Sequence, residues 1–147
     1  MKKILTFAVA ALALAMAFSS CKKEEAQLSD AELVNKIASY QSYAGTYKSG
    51  ADSDIAALGI TKSAASGAME FAIVLSMDIT DPEHPSDDDA IAMGNWEVVN
   101  GELILHGTKS YGEPRVSTIK GAIEKNGEKF TLTSGSATFE FERVKLK

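Results

Sequence analysis

Three turn dipeptides, each set between stretches that alternate apolar and polar residues, constrain this chain more than any other feature. Asn100-Gly101 is the favoured pair for a two-residue type I′ hairpin, because both central positions need positive φ. Taken as the turn, it pairs Val99 with Glu102, Val98 with Leu103 and Trp96 with Leu105. Asn126-Gly127 repeats the signal, pairing Ile123 with Phe130, Gly121 with Leu132 and Glu124 with Lys129. Ser134-Gly135 supplies a third turn, which sets Phe130 opposite Phe139 and Lys129 opposite Glu140. The last two registers agree on which face is inside. Ile119, Ile123, Phe130, Leu132, Phe139 and Phe141 fall on one side and the charges mostly on the other. A slip of one residue would reverse every one of them. The expectation is an antiparallel meander over residues 91–147. A lone two-stranded ribbon is marginal in water, so the meander must close on earlier strands or on itself.

The remaining pattern supplies those strands and one helix. Residues 69–79 put Met69, Phe71, Ile73, Leu75, Met77 and Ile79 on one side, the period of a long half-buried strand. Residues 29–41 carry helical spacing instead. Ser29 with Glu32 three residues on is a capping box, and Leu28 with Leu33 has the spacing of a hydrophobic staple. Leu33, Val34, Ile37 and Tyr40 mark the apolar face. Residues 50–68, rich in Ala, Gly and Ser, stay undecided between strand and a short helical turn capped by Ser53-Asp54.

The first thirty residues carry a different message. Met1-Lys2-Lys3 is a basic start, Ile4 to Phe18 is apolar without a charge, and Ser19-Ser20 leads directly into Cys21. That order is a secretory signal, too short to span a membrane. The segment Phe18-Ser19-Ser20-Cys21 resembles a bacterial lipoprotein signal, with Phe18 where an aliphatic residue is usual. The resemblance implies cleavage before Cys21, diacylglycerol on its thiol and acylation of the freed amine, which together anchor stably. A chance cysteine after an ordinary signal would be left without a partner, since Cys21 is the only one. Residues 1–20 are therefore read as a signal peptide, 21–28 as anchor and tether, and 29–147 as a single domain. Lys22-Lys23-Glu24-Glu25-Ala26-Gln27 is a polar tether, and its Lys23-Glu24-Glu25 resembles the surface-export signal of Bacteroidetes lipoproteins. Lys22 is not the Asp that retains lipoproteins in the inner membrane of enteric bacteria. The expected location is the cell envelope, with the outer membrane favoured and surface exposure compatible.

Removal of residues 1–20 takes Lys2 and Lys3 away and leaves 127 residues with 13 basic against 20 acidic side chains, a formal charge of −7. That is enough chain for one core. An acidic chain without a basic stripe is a poor partner for nucleic acid.

Three places in the β pattern together resemble the small bacterial lipocalin-like lipoproteins. Gly45-Thr46-Tyr47-Lys48 opens the first strand after a short helix, Gly94-Asn95-Trp96-Glu97-Val98 leads into the central hairpin, and Phe139-Glu140-Phe141-Glu142-Arg143-Val144 ends the chain. The resemblance implies a mainly β fold, a small antiparallel barrel of about eight strands with one N-terminal helix. In lipocalins a tryptophan on the first strand packs under an arginine from the last. Here Tyr47 stands where that tryptophan would be, and Arg143 is its implied partner, with emergence of Arg143 at the barrel rim as the alternative. Tyr47, Trp96 and Arg143 are read as structural residues. The copper-stress lipoproteins of enteric bacteria share this outline, but their Cys-x-x-Cys is absent, so no redox or copper role carries over.

No reaction chemistry is indicated. There is no Gly-x-Ser-x-Gly, no phosphate-cradling glycine loop and no ligand spacing for a metal. His106 alternates to the solvent side of its strand. His84 lies in Asp81-Pro82-Glu83-His84-Pro85-Ser86-Asp87-Asp88-Asp89, which reads as a solvated acidic loop without the spacing of an EF-hand. No catalytic residue, cofactor or metal is expected. The functional expectation is a non-catalytic, membrane-anchored envelope lipoprotein, partnered with the membrane through Cys21, whose barrel binds a small apolar ligand. The alternative is a module that contacts envelope proteins through loops 81–89 and 107–114.

Overall fold

The computed structural model describes residues 28–79 and 86–145. The expectations for the signal sequence, for Cys21 and its tether, and for His84 lie outside the described residues. The helix forms where the caps place it. α1 spans Asp30–Tyr40, with both halves of the Ser29/Glu32 capping box made. Its Leu33 and Ile37 are buried, and Ile37 joins the main core.

Eight strands follow among the described residues: β1 (Ser42–Ser49), β2 (Asp52–Lys62), β3 (Met69–Leu75), β4 (Ala90–Val99), β5 (Glu102–Ser110), β6 (Glu113–Glu124), β7 (Lys129–Ser134) and β8 (Ala137–Arg143). Each pairs antiparallel with the next, and β8 returns to β1 over Tyr43↔Arg143 to Ser49↔Ala137, closing a barrel. The fold is thus mainly β, an eight-stranded antiparallel barrel with one helix. Closure leaves no sheet edge exposed to another chain.

The first two hairpins keep their expected registers. Val99↔Glu102, Val98↔Leu103 and Trp96↔Leu105 pair across Asn100-Gly101, whose φ values are 52° and 77°. Ile123↔Phe130, Gly121↔Leu132 and Glu124↔Lys129 pair across the second turn. The third register moves by two residues. Phe130 faces Phe141 rather than Phe139, Leu132 faces Phe139, and Lys129 faces Glu142 rather than Glu140. The turn is Gly135-Ser136, with Gly135 at φ 58° in its first central position. A type II′ turn needs its glycine there, whereas Ser134-Gly135 would put serine at the strained position.

Two further expectations change. The long strand over 69–79 ends at Leu75, and Ser76–Asp78 turns as a short 3₁₀ helix with Met77 exposed. Asp54 takes that segment over. Its Oδ1 accepts from the Ser76 hydroxyl at 2.6 Å and its Oδ2 from the Met77 N–H at 3.0 Å. The undecided stretch 50–68 contains β2 rather than a helical turn. Ala56, Leu58 and Ile60 alternate inward along it, all buried.

The barrel interior is filled over most of its height. Tyr43, Leu58, Ile60, Ile73, Leu103, Leu105, Phe130, Leu132 and Phe141 are at most 1 % exposed, each burial worth about 1.5–3 kcal/mol. Tyr43 and Phe130 meet at 4.6 Å between ring centroids, and Phe139 and Phe141 stack at 5.8 Å. Gly45 is what lets β1 close against β8. A Cβ there would fall 1.6 Å from the Glu140 carbonyl oxygen, so only glycine permits this approach of the two backbones.

Candidate functional site

The two ends of the barrel differ in kind. One carries α1, the Asn100-Gly101 turn and the 125–128 turn. Asp30 at the start of the helix accepts from the Asn100 and Gly101 N–H groups, both at 2.8 Å. Ile37 packs against Gly127, and the Tyr43 hydroxyl donates to the Gly127 carbonyl at 2.7 Å. Burial raises the Tyr43 phenol well above the ordinary tyrosine range.

Arg143 belongs to this closed end. Its guanidinium carbon lies 4.4 Å from the Tyr40 ring centroid, a cation–π contact. Its Nε is 3.3 Å from Glu128 Oε1 without the alignment of a hydrogen bond, so the attraction is one of charge. The implied Tyr47–Arg143 partnership is not made. Arg143 pairs across from Tyr43, four residues earlier on β1, while Tyr47 pairs with Phe139 and touches its ring at 5.3 Å. Tyr40 and Tyr43 flank the arginine instead, because the β1–β8 register brings Tyr43 to it. Trp96 is buried in the wall, its indole N–H donating to the Thr61 carbonyl at 2.8 Å.

The other end is open among the described residues. Its surroundings are the Gly50 turn, the Ser76–Asp78 and Asp87–Asp89 3₁₀ turns, Tyr111-Gly112 and Gly135-Ser136. The expected loop 107–114 proves to be a hairpin. Lys109↔Pro114 and Ser110↔Glu113 still pair, and Tyr111-Gly112 alone makes the turn, with φ 52° and 79°. A bulge between Gly107 and Lys109 is what displaces the register there. The Tyr111 N–H donates to the Ala90 carbonyl and its hydroxyl to Asp78 Oδ2, both at 2.7 Å. Partial burial and the Asp78 carboxylate push the Tyr111 phenol up to about 12.

A cavity of about 290 Å³ opens to solvent between these turns. Tyr47, Ile91, Ala92, Ile119, Ala137 and Phe139 form its apolar wall, and Ser110, Tyr111, Arg115, Ser117 and Ser134 a polar collar. Its origin is a taper in side-chain size. On β6 the inward series runs Arg115, Ser117, Ile119; on β7 it runs Ser134, Leu132, Phe130; on β8 it runs Ala137, Phe139, Phe141. Strand number and tilt fix the barrel's width, so small side chains near the mouth leave space that phenylalanines fill deeper down. Ser134 and Ala137, small residues on either side of the Gly135-Ser136 turn, were the sequence signal for the pocket.

His106 lies on the outer wall, half exposed, with Nε2 2.6 Å from Glu97 Oε2. Among the described residues no group of three or more His, Cys, Asp or Glu side chains is arranged to hold a metal ion, and no helix is long and apolar enough to cross a membrane. Comparison of the chain with protein-family models, with curated proteins and with solved structures finds no match.

Proposed function

We propose that this protein is a lipid-anchored component of a bacterial cell envelope whose lipocalin-like barrel binds a small apolar ligand in its open mouth, without catalysing a reaction. The observation that carries the ligand reading is the cavity bounded by Ile119, Phe139 and the Tyr47 ring. A volume near 290 Å³ stands at the lower end of the range for small-molecule sites, about 300–1,000 Å³. The anchoring rests on Phe18-Ser19-Ser20-Cys21 and the polar tether behind it. Two or three acyl chains on Cys21 hold a protein to a bilayer, where one chain holds only marginally. Tyr47, Trp96 and Arg143 then serve the wall and the closed end rather than a reaction.

A second reading, a protein-interaction module, is favoured by one observation. Of the two segments assigned to it, 81–89 and 107–114, the second is tied beside the end of the first by the Tyr111 N–H bond to the carbonyl of Ala90, the residue after Asp89. A partner protein would then meet the same end as the ligand.

Membrane fractionation of wild type beside Cys21→Ala tests the anchor, with protease treatment of intact cells to place the barrel. The wild type is expected in the membrane fraction and the variant in the soluble one. Identical fractionation of the two would remove the anchor from the account. Shaving of the wild type from whole cells would assign it to the surface, and protection would assign it to the periplasm.

A further inference from the structure

We infer that the mouth cavity selects a small amphiphile with one anionic head, a carboxylate or a phosphate, held at Arg115 with its apolar tail against Ile119 and Phe139. This deepens the ligand reading and rests on it. The chain has only two arginines. Arg143 is spent at the closed end, between Tyr40 and Glu128. Arg115 stands on the inward-facing series of β6 at the mouth, lines the cavity and makes no hydrogen bond or ion pair with the described residues.

A cation beside an apolar wall calls for a ligand that satisfies both. The planar guanidinium offers paired donors that match the two oxygens of a carboxylate or phosphate. Ser110, Ser117 and Ser134 line the same cavity, and serine hydroxyls suit the shell around such a head group. Below them Ile119 is 3 % exposed and Phe139 3 %, so the surface meeting the tail is part of the core. Polar collar above and apolar floor below fix the orientation, head outward. The volume also sets a length. A water occupies about 30 Å³ of liquid, so about 290 Å³ admits roughly ten such groups. A chain of about eight carbons, with its head at the collar facing solvent, fits within that estimate.

The test is calorimetric titration of the mature chain, wild type and Arg115→Gln, with octanoate, octyl phosphate, 1-octanol and octylammonium below their micellar concentrations. Arg115 is exposed and unpartnered, so unchanged thermal midpoints of the variant serve as the folding control. The wild type is expected to bind at least one of the two anions at least ~10-fold more tightly than octanol, and octylammonium least. The tighter anion names the head. Arg115→Gln is expected to bring the anions down to octanol's affinity and leave octanol unchanged, while Arg115→Lys retains part of the preference. Equal binding of all four, unaffected by Arg115→Gln, would overturn the head-group assignment and leave the cavity reading in place. Binding of none would overturn both.

Discussion

The Tyr43 hydroxyl reaches the Gly127 carbonyl from inside the barrel, and both residues are buried. Removing the hydroxyl leaves that carbonyl without its donor while the ring keeps its contact with Phe130. Tyr43→Phe is expected to cost about 1–2 kcal/mol, read as a lower denaturant midpoint with an unchanged slope. An unchanged midpoint would mean that the bond contributes nothing net. Two carboxylates act at the same scale through pH. Asp54 is held below the ordinary aspartate range first by the Ser76 hydroxyl and then by the Met77 N–H. Glu32 is held down by the backbone N–H and then the hydroxyl of Ser29. Because their folded values are depressed, their contribution is complete above the ordinary carboxylate value, about 4, and is lost as pH falls through the depressed ones. Protection of the Met77 and Ser29 amides, whose N–H groups donate to the Asp54 and Glu32 carboxylates, is therefore expected to fall in acid, relative to the intrinsic exchange rate, before the barrel unfolds. In Asp54→Asn the Met77 exchange should be fast already at neutral pH. Legibility at this scale was mixed. The Ser29/Glu32 cap is local and could be read from spacing, whereas Asp54 meets Ser76 and Met77 more than twenty residues away, which no local pattern records.

Among the elements, the hairpin turns carried most of the information, and they did so through the sign of φ. Both Asn-Gly pairs keep their registers as read, although the second is not a two-residue turn: residues 125–128 form a four-residue loop, with Lys125 as well as Asn126 and Gly127 at positive φ. Ser134-Gly135-Ser136 admits two placements. Moving from Ser134-Gly135 to Gly135-Ser136 shifts the pairing by two residues, which keeps every side chain on its face. Agreement between faces, sensitive to a slip of one, was blind to a slip of two. The Tyr47–Arg143 partnership fails for a separate reason, since the β1–β8 register sets Arg143 opposite Tyr43 and Tyr47 opposite Phe139. Alternation over 69–79 overran because Met77 and Ile79 continue the strand's period beyond the point where Asp54 bends the chain. The helix docks by a contact sequence spacing did not reveal, Asp30 on the Asn100-Gly101 turn. Two charge-assisted bonds are lost in Asp30→Ala, so about 1.5–3 kcal/mol of stability should go. Protease cutting near α1 should rise before the barrel itself becomes susceptible. A variant cut no faster than wild type would show that Leu33 and Ile37 hold the helix unaided.

At the scale of the whole molecule, one end of the barrel is plugged and the proposed ligand site lies at the other. The plug is built from Ile37, Tyr43, Tyr40 and Arg143, and the mouth from the small residues Ser117, Ser134 and Ala137. The closed barrel was anticipated through the lipocalin-like resemblance, since alternation and turns alone gave a meander over 91–147 and a strand over 69–79 and left 50–68 undecided. The cavity was not, because a face pattern records which residues point inward and not how much of the interior they fill. Enlarging the mouth residues separates the two ends by function. Ala137→Phe should abolish amphiphile binding while leaving the fold intact, since the added ring has the cavity to occupy. A variant that binds as the wild type does would place the ligand elsewhere.

The most direct measurement is an octanoate titration of the ¹⁵N-labelled mature chain followed by amide chemical shifts. The account predicts saturable shifts confined to the mouth, at Tyr47, Ser110, Arg115, Ser117, Ser134 and Ala137, with the α1 end silent. Shifts centred on α1 or on the outer wall, or none at all, would contradict it.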